Sequence, residues 1–159
     1  MVREILLLGD LRLYEKSTAV KEEELGELSR VVADLHDTLF DFRKEHGCGR
    51  AIAAPQIGVA KRLVYMHINE PVAFINPVVH FPDADLMEVM DDCMSFPGLL
   101  VRVLRHCRCR IKYHDLAWKP CVMELEGDLS ELLQHECDHL DGVLATMRAA
   151  DNRSFFLKP

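Results

Sequence analysis

The sequence predicts an α+β fold, with mostly antiparallel sheets around one helix that carries the motif H-E-x-x-H and a separate amphipathic helix near the N-terminus. Two observations support this class. Apolar residues recur at helical spacing in two segments, near the beginning and the end of the chain. Between those segments lie short β-rich stretches bounded by turn residues. The 159 residues suit one domain, so we expect residues 1–159 to form a single domain.

The first helix is predicted over residues 23–44, EELGELSRVVADLHDTLFDFRK. Its apolar residues are separated by three or four positions, which places them on one face of a helix. These residues are Leu25, Leu28, Val32, Leu35, Leu39 and Phe42. The sequence Gly-Cys-Gly at 47–49 is a natural stop for this helix.

The middle of the chain is predicted to be β-structure. RAIAAPQIGVAKR has the pattern of a strand broken by a loop, and LVYMHI and VAFINPVV are strands in which Asn76-Pro77 marks a bend or an edge. MDDCMSFPGLLVRVL is predicted to be a strand end or loop, a Phe-Pro-Gly turn and a further strand. CRIKYHDLAWKPCVMELEG predicts a hairpin with its turn near residues 117–120.

A second helix is predicted from Asp128. Asp128 and Glu131 have the spacing of a capping box, with an acceptor at the N-cap and a glutamate three residues later. We therefore expect both acids to cap the helix, although an apolar substrate pocket could instead use the face that they share. Further along, LLQHECDHLDG contains the H-E-x-x-H motif.

Composition limits the possible functions. The formal net charge is −7, which argues against non-specific binding to nucleic acid or to an anionic membrane. No apolar run approaches the roughly 18 residues of a membrane span, and MVREILLLGD lacks the features of a signal peptide. We expect a cytoplasmic protein, or an organellar matrix protein if the source is eukaryotic. The six cysteines are then free thiols, of which most are small buried hydrophobes.

The H-E-x-x-H motif suits a metal site. His135 and His139 are four residues apart, so they project from one face of a helix and can reach one ion. Glu136 lies roughly 100° around the helix from His135, where it can act as a general base beside the ion. The alternative is a solvated helix face with chance spacing.

A catalytic metal site needs a third ligand, and the sequence after Gly142 offers no histidine. We therefore expect an upstream ligand, for which Cys93 stands out because it precedes the loop-forming Ser-Phe-Pro-Gly at 95–98. Cys107 and Cys109 alternate within a strand pattern and are expected to pack, while Cys137 faces away from both histidines.

A third segment, GRAIAAPQIG, contains small residues that allow a ligand to approach the backbone, and Gln56, which supplies an amide donor. A tight turn between strands explains this segment equally well.

The three segments together resemble the peptide deformylase family. Its motifs are G-x-G-x-A-A-P-Q-x-G, E-G-C-x-S and Q-H-E-x-D-H-L-x-G, and this chain has GRAIAAPQIG, DDCMS and QHECDHLDG in the same order. The resemblance implies a hydrolase that removes the N-terminal formyl group from the formyl-methionyl peptides of nascent proteins. It implies that Cys93, His135 and His139 bind one divalent metal ion, usually Fe(II), with Zn, Ni or Co as alternatives.

The resemblance also implies roles for other residues. Glu136 would transfer the proton, and Gln56 and the backbone N–H of Met94 would stabilise the oxyanion. The substrate would be bound by Gly49, Arg50, Ala51, Asp91 and Leu132. The expected partners are N-formylated nascent peptides, with the ribosome exit as one place of encounter, and the protein is expected to be a monomer or a homodimer.

Three residues depart from the family motifs. Ala51 and Asp92 replace glycines, and Asp92 would be strained if that position requires a positive φ. Asp91 replaces a glutamate, so its expected pair with Arg105 would be strained or bridged by water. Two alternatives to a methionyl deformylase follow. The enzyme could use a different N-formyl or N-acyl substrate, or the chain could be a non-catalytic metal-binding module in which Asp91 or Asp92 is a fourth ligand.

Overall fold

A computed structural model describes residues 1–159 and confirms the α+β class with antiparallel sheets. Helix α1 is Leu25–His46 and helix α2 is Asp128–Leu140. The strands are β1 Ala51–Ala53, β2 Leu63–His67, β3 Pro71–His80, β4 Leu86–Asp91, β5 Leu99–His106, β6 Arg108–His114, β7 Pro120–Glu126 and β8 Phe155–Leu157. No helix has both the length and the apolar character needed to cross a membrane.

The larger sheet has the order β1-β2-β3-β6-β7, and every neighbouring pair is antiparallel. Because successive strand residues point to opposite faces, β1 to β3 contribute to two separate cores. Ile52, Leu63 and Ile75 pack against α1 on one face. Phe74 and Val64 pack on the other face, against α2. The sheet therefore lies between the two helices.

The smaller sheet has the order β4-β5-β8 and is also antiparallel. The predicted Phe-Pro-Gly turn joins β4 to β5, and the stretch from Asp92 to Gly98 lies between those strands. The predicted hairpin is formed by β6 and β7, with residues 115–119 as its turn. These strand predictions are confirmed.

Helix α1 begins two residues later than predicted, after a short 3-10 turn at Glu22–Glu24. It ends where predicted, at Gly47, whose φ of 70° is a left-handed conformation that glycine adopts without a steric cost. Leu35 and Leu39 are fully buried beneath it.

The capping prediction for α2 was wrong. Gly127 occupies the N-cap position, and neither Asp128 nor Glu131 makes a capping hydrogen bond. Asp128 is the first residue of the helix, so it lies too far along to be the cap. Glu131 instead turns towards the interior, where it forms an ion pair with Arg50.

Asn76 bends β3 as predicted, but it does not mark an edge, because β3 is paired on both sides. Its φ is 49°, and the pairing register shifts between Ile75 and Val78. The Asn76 side chain accepts a hydrogen bond from the Val20 backbone N–H (2.8 Å) and donates one to the Val20 carbonyl (2.9 Å). These two bonds stabilise the left-handed conformation that asparagine tolerates.

The segment after β1 is a 3-10 turn at Ala54–Ile57 that ends at Gly58, rather than an open loop. This tight turn is what directs the Gln56 side chain inwards.

Gly142 fixes the end of α2 against the N-terminal segment. A Cβ atom at this position would lie 2.3 Å from the Tyr14 carbonyl oxygen, and its φ is 71°. The Ser17 N–H donates to the Leu140 carbonyl nearby (2.9 Å). Only glycine fits this contact, and the contact holds the motif-bearing helix in place.

Candidate metal centre

Three side chains from two parts of the chain converge on one point. The Cys93 Sγ lies 3.3 Å from the His139 Nε2, which lies 3.2 Å from the His135 Nε2. All three residues are buried, and they are the three candidate ligands predicted from the sequence. Cys137 is buried outside this group, as expected.

Local structure explains why these donors meet. His135 and His139 are one turn apart on α2, so both rings lie on the same face. Cys93 follows the end of β4 in a turn that the Phe96 N–H closes by donating to the Cys93 carbonyl (3.1 Å). This turn points the thiol across the gap towards the helix.

Asp91 contacts His135 on the side of the ring that faces away from the donor cluster. The Asp91 Oδ1 lies 2.9 Å from the His135 Nδ1, and the Asp91 Oδ2 accepts a hydrogen bond from the Arg105 guanidinium (2.8 Å). Burial opposes ionisation of Asp91, but His135 and Arg105 outweigh it and lower the pKa of the carboxyl. Because Nδ1 faces a carboxylate, Nε2 is the nitrogen left to face the cluster.

The expectation of a strained or water-bridged Asp91–Arg105 pair was wrong. The two side chains contact each other directly, with 4% and 3% of their surfaces exposed. Arg105 also donates to Asp138 (2.6 Å), which in turn binds Arg148 through both carboxylate oxygens. Neither Asp138 nor Arg148 was predicted from the sequence. The only indication was that Asp138 is the aspartate of the third motif.

Gln56 is held by its own turn. Its Oε1 accepts a hydrogen bond from the Ala53 N–H (2.9 Å), which fixes the amide so that Nε2 faces the cluster. Nε2 then lies 3.1 Å from the Ser95 Oγ and 3.5 Å from the Cys93 Sγ. The Met94 N–H, between them in sequence, donates to no backbone carbonyl or side chain. The Met94 N–H is thus available to an oxyanion near Cys93, and the Gln56 amide, which donates to Ser95 and Cys93, lies beside it.

Glu136 lies at the base of the same cavity, 4% exposed. Burial raises the pKa of its carboxyl to about 7, and its Oε2 has no hydrogen-bond partner in the protein. A carboxyl with a pKa near neutrality can both take up and release a proton. Such a group is suited to general acid–base chemistry on a molecule that enters the cavity.

The cavity has a volume of about 620 Å³ and opens to the surface. It brings together the cluster residues Cys93 and His135 with Gln56, Met94 and Glu136. All of the residues predicted to bind substrate also line it: Gly49, Arg50, Ala51, Asp91 and Leu132. Asp91 uses both carboxylate oxygens on protein partners, so it positions His135 rather than presenting a free charge to a ligand.

Asp92 and Ala51 are accommodated without strain. Positive φ among non-glycine residues occurs only at Asn76 and Trp118, so Asp92 does not need the conformation of the glycine it replaces. Its carboxylate contacts Lys158 at the surface (2.8 Å). Ala51 pairs with Met66 at the start of β1 and is buried. Neither Asp91 nor Asp92 belongs to the donor cluster.

The donor cluster fits a divalent metal ion. A tetrahedral ion with nitrogen ligands at about 2.0–2.1 Å would separate them by roughly 3.3 Å, close to the observed 3.2 Å between the two Nε2 atoms. Without a cation, the two facing Nε2 atoms can share only one proton. Two imidazoles and a thiolate are donors that Fe(II) and Zn both accept.

The α+β fold with this donor cluster and a buried glutamate in an open cavity defines a candidate metallohydrolase. Comparison with known proteins identifies the family. The model of the polypeptide deformylase family matches residues 2–154, and the chain belongs to this family.

Individual members of the family are similar to this chain along most of its length. A peptide deformylase of Lachnoclostridium phytofermentans is 36% identical over 147 residues, which are 89% of this chain and 85% of that protein. One from Desulfitobacterium hafniense is 35% identical, covering 93% and 95%. The solved peptide deformylase of Thermotoga maritima superimposes with a TM-score of 0.81 at 32% identity, covering 95% of this chain and 99% of that one.

Proposed function

We propose that this enzyme hydrolyses the formyl amide at the N-terminus of formyl-methionyl peptides of nascent proteins and releases formate. The observation that carries the proposal is that Gln56, Glu136, Cys93 and His135 line one cavity, with His139 completing the donor cluster beside it. The family to which the chain belongs supports the same reaction.

Cys93, His135 and His139 would hold one divalent metal ion. We propose Fe(II), with Zn, Ni or Co as alternatives that the same donors accept. When bound, such an ion lowers the pKa of water towards neutrality and polarises a carbonyl oxygen. The chain contributes a buried setting for it, in which Asp91 contacts His135 and the Gly142 contact anchors α2.

Gln56 and Met94 would stabilise the charge that develops on the formyl oxygen. Ala53 holds the Gln56 amide in one orientation, and the Met94 N–H has no competing acceptor. Preorganised donors of this kind lose little energy in reorientation during the reaction. Removing one commonly costs about 2.7–4 kcal/mol of transition-state stabilisation.

Glu136 would hold the proton between the two halves of the reaction. It takes the proton as water adds to the formyl carbon and then gives it to the amine that leaves. Burial excludes bulk water from its carboxyl, so the proton is retained at one place.

Gly49, Arg50, Ala51 and Leu132 would contact the peptide, since they line the cavity beside the cluster. We infer that the enzyme meets its substrates in the cytoplasm, or in an organellar matrix if the source is eukaryotic, as the chains leave the ribosome. It would act as a monomer or a homodimer.

The test is formate release from formyl-Met-Ala by anaerobically purified protein loaded with Fe, Ni or Co. We expect formate from the wild-type protein and none above background from Glu136→Ala with the same metal content. Absence of formate from wild-type protein that contains metal would refute the proposed function.

A further inference from the structure

The Gln56 amide contacts a buried hydroxyl that has no role in the reaction described above. Its Nε2 donates to the Ser95 Oγ at 3.1 Å, although the two residues are 39 positions apart. Both residues are only 1% exposed, so bulk water does not compete for this bond. The two side chains therefore depend on each other for hydrogen bonding at this point.

The backbones of these two residues are also fixed relative to each other. The Leu6 N–H donates to the Gln56 carbonyl and the Leu8 N–H donates to the Ser95 carbonyl, each at 2.8 Å. Alternate residues of one short N-terminal segment thus hold both main chains. The contact between Ser95 and Gln56 is therefore part of a fixed arrangement.

Two contacts are needed to orient a side-chain amide fully. The Ala53 N–H donates to the Gln56 Oε1 at 2.9 Å and so determines which end of the amide is the oxygen. Rotation about the last side-chain torsion of glutamine is otherwise broad. Nε2 carries two hydrogens in the amide plane. The Ser95 Oγ binds one of them, which fixes the plane and leaves the other directed towards the Cys93 Sγ, 3.5 Å from Nε2.

We propose that Ser95 is a positioning residue for deformylation, whose hydroxyl oxygen holds the Gln56 amide in the plane that directs one N–H towards the oxyanion beside Cys93. This inference rests on the proposed function and adds the group that orients its oxyanion donor. Ser95 does not line the cavity, so it acts through Gln56 rather than on the substrate.

The first test is the kinetics of Ser95→Ala with formyl-Met-Ala at the same metal content as the wild type. We expect kcat to fall by about 10- to 100-fold with KM nearly unchanged, because a misdirected donor is costly where charge develops in the transition state. In a Gln56→Leu background, Ser95→Ala should cause no further loss, since the amide through which it acts is absent.

Ser130→Ala is the matched control. The Ser130 Oγ likewise accepts a hydrogen bond from a glutamine amide, that of Gln134, at 2.9 Å. Both residues are buried, and neither lines the cavity. Removing this hydroxyl should leave kcat unchanged, and thermal melting reports whether each variant folds.

The second test does not depend on activity. In Zn-loaded protein, NMR resolves the two Nε2 hydrogens of Gln56, which are assigned by their absence from Gln56→Leu. We expect Ser95→Ala to shift these resonances and to speed the exchange of the bonded hydrogen with solvent. Ser130→Ala should leave both the resonances and the exchange unchanged.

Three results would overturn the inference. They are a wild-type kcat in Ser95→Ala, an equal fractional loss from Ser95→Ala in the wild-type and Gln56→Leu backgrounds, and Gln56 resonances that Ser95→Ala does not change. Absence of formate from metal-loaded wild-type protein would instead refute the proposed function, and the NMR comparison would then decide the positioning role by itself.

Discussion

Replacing Asp91 by asparagine should weaken both the fold and metal binding. The carboxylate contacts two partners at once, Arg105 at 2.8 Å and the His135 Nδ1 at 2.9 Å. Asparagine has nearly the same shape but no charge, so the substitution removes the electrostatic contribution and leaves the packing. Arg105 would then keep only Asp138 as its ion-pair partner.

The magnitude follows from the burial of the pair. Breaking a buried ion pair costs about 3–5 kcal/mol, and the remaining contact to Asp138 places this case near the lower limit, at about 3 kcal/mol. The loss of support for His135 should weaken metal binding by roughly 10- to 100-fold, as is common when the partner of a ligating histidine is removed. Urea unfolding of the metal-free protein measures the first effect, and competition with a chelator measures the second.

Asp138→Asn is the matched control, because Asp138 contacts Arg105 (2.6 Å) and Arg148 but not His135. It should lower the free energy of unfolding while leaving metal affinity within about twofold of wild type. If Asp91→Asn binds metal as tightly as Asp138→Asn does, then Asp91 does not act through His135 and the reasoning is wrong.

Three further predictions concern single residues. Glu136→Gln should reduce kcat for formate release by roughly 10²- to 10⁴-fold with unchanged metal content; a smaller loss would show that another group moves the proton. Gln56→Leu should reduce kcat by about 10²- to 10³-fold with little change in KM, and a purely raised KM would contradict an oxyanion role. Gly142→Ala should destabilise the protein by about 2–4 kcal/mol in urea, because its methyl group meets the Tyr14 carbonyl. Gly47→Ala, with φ of 70° and open space around it, should cost only about 1 kcal/mol, and equal losses would exclude the steric explanation.

The sequence was most informative where a pattern is local. The helical spacing of α1 and the alternation of β2, β3 and the β6–β7 hairpin depend on neighbours within a few residues, so periodicity predicted them. The i, i+4 spacing likewise placed His135 and His139 together. Cys93 was predicted by elimination of other donors and by its loop context, and the structure places its thiol beside both rings.

Interactions between distant segments could not be predicted in this way. The capping-box pattern at Asp128 and Glu131 was locally plausible, but Glu131 gains an ion pair with Arg50, and nothing local signals a partner 81 residues away. The Asp138–Arg148 contact and the Gly142–Tyr14 approach also depend on tertiary structure. Spacing, loop context and elimination of other donors therefore identified the residues of the cluster but not the groups that position them.

The most direct test of the account is formate release measured against bound metal in one series of samples. Metal-free protein is titrated anaerobically with Fe(II), and both the metal content and the rate with formyl-Met-Ala are determined for each sample. We expect the rate to rise in proportion to bound metal and to level off at one ion per chain. A rate that is independent of metal, or no formate at one ion per chain, would contradict the account.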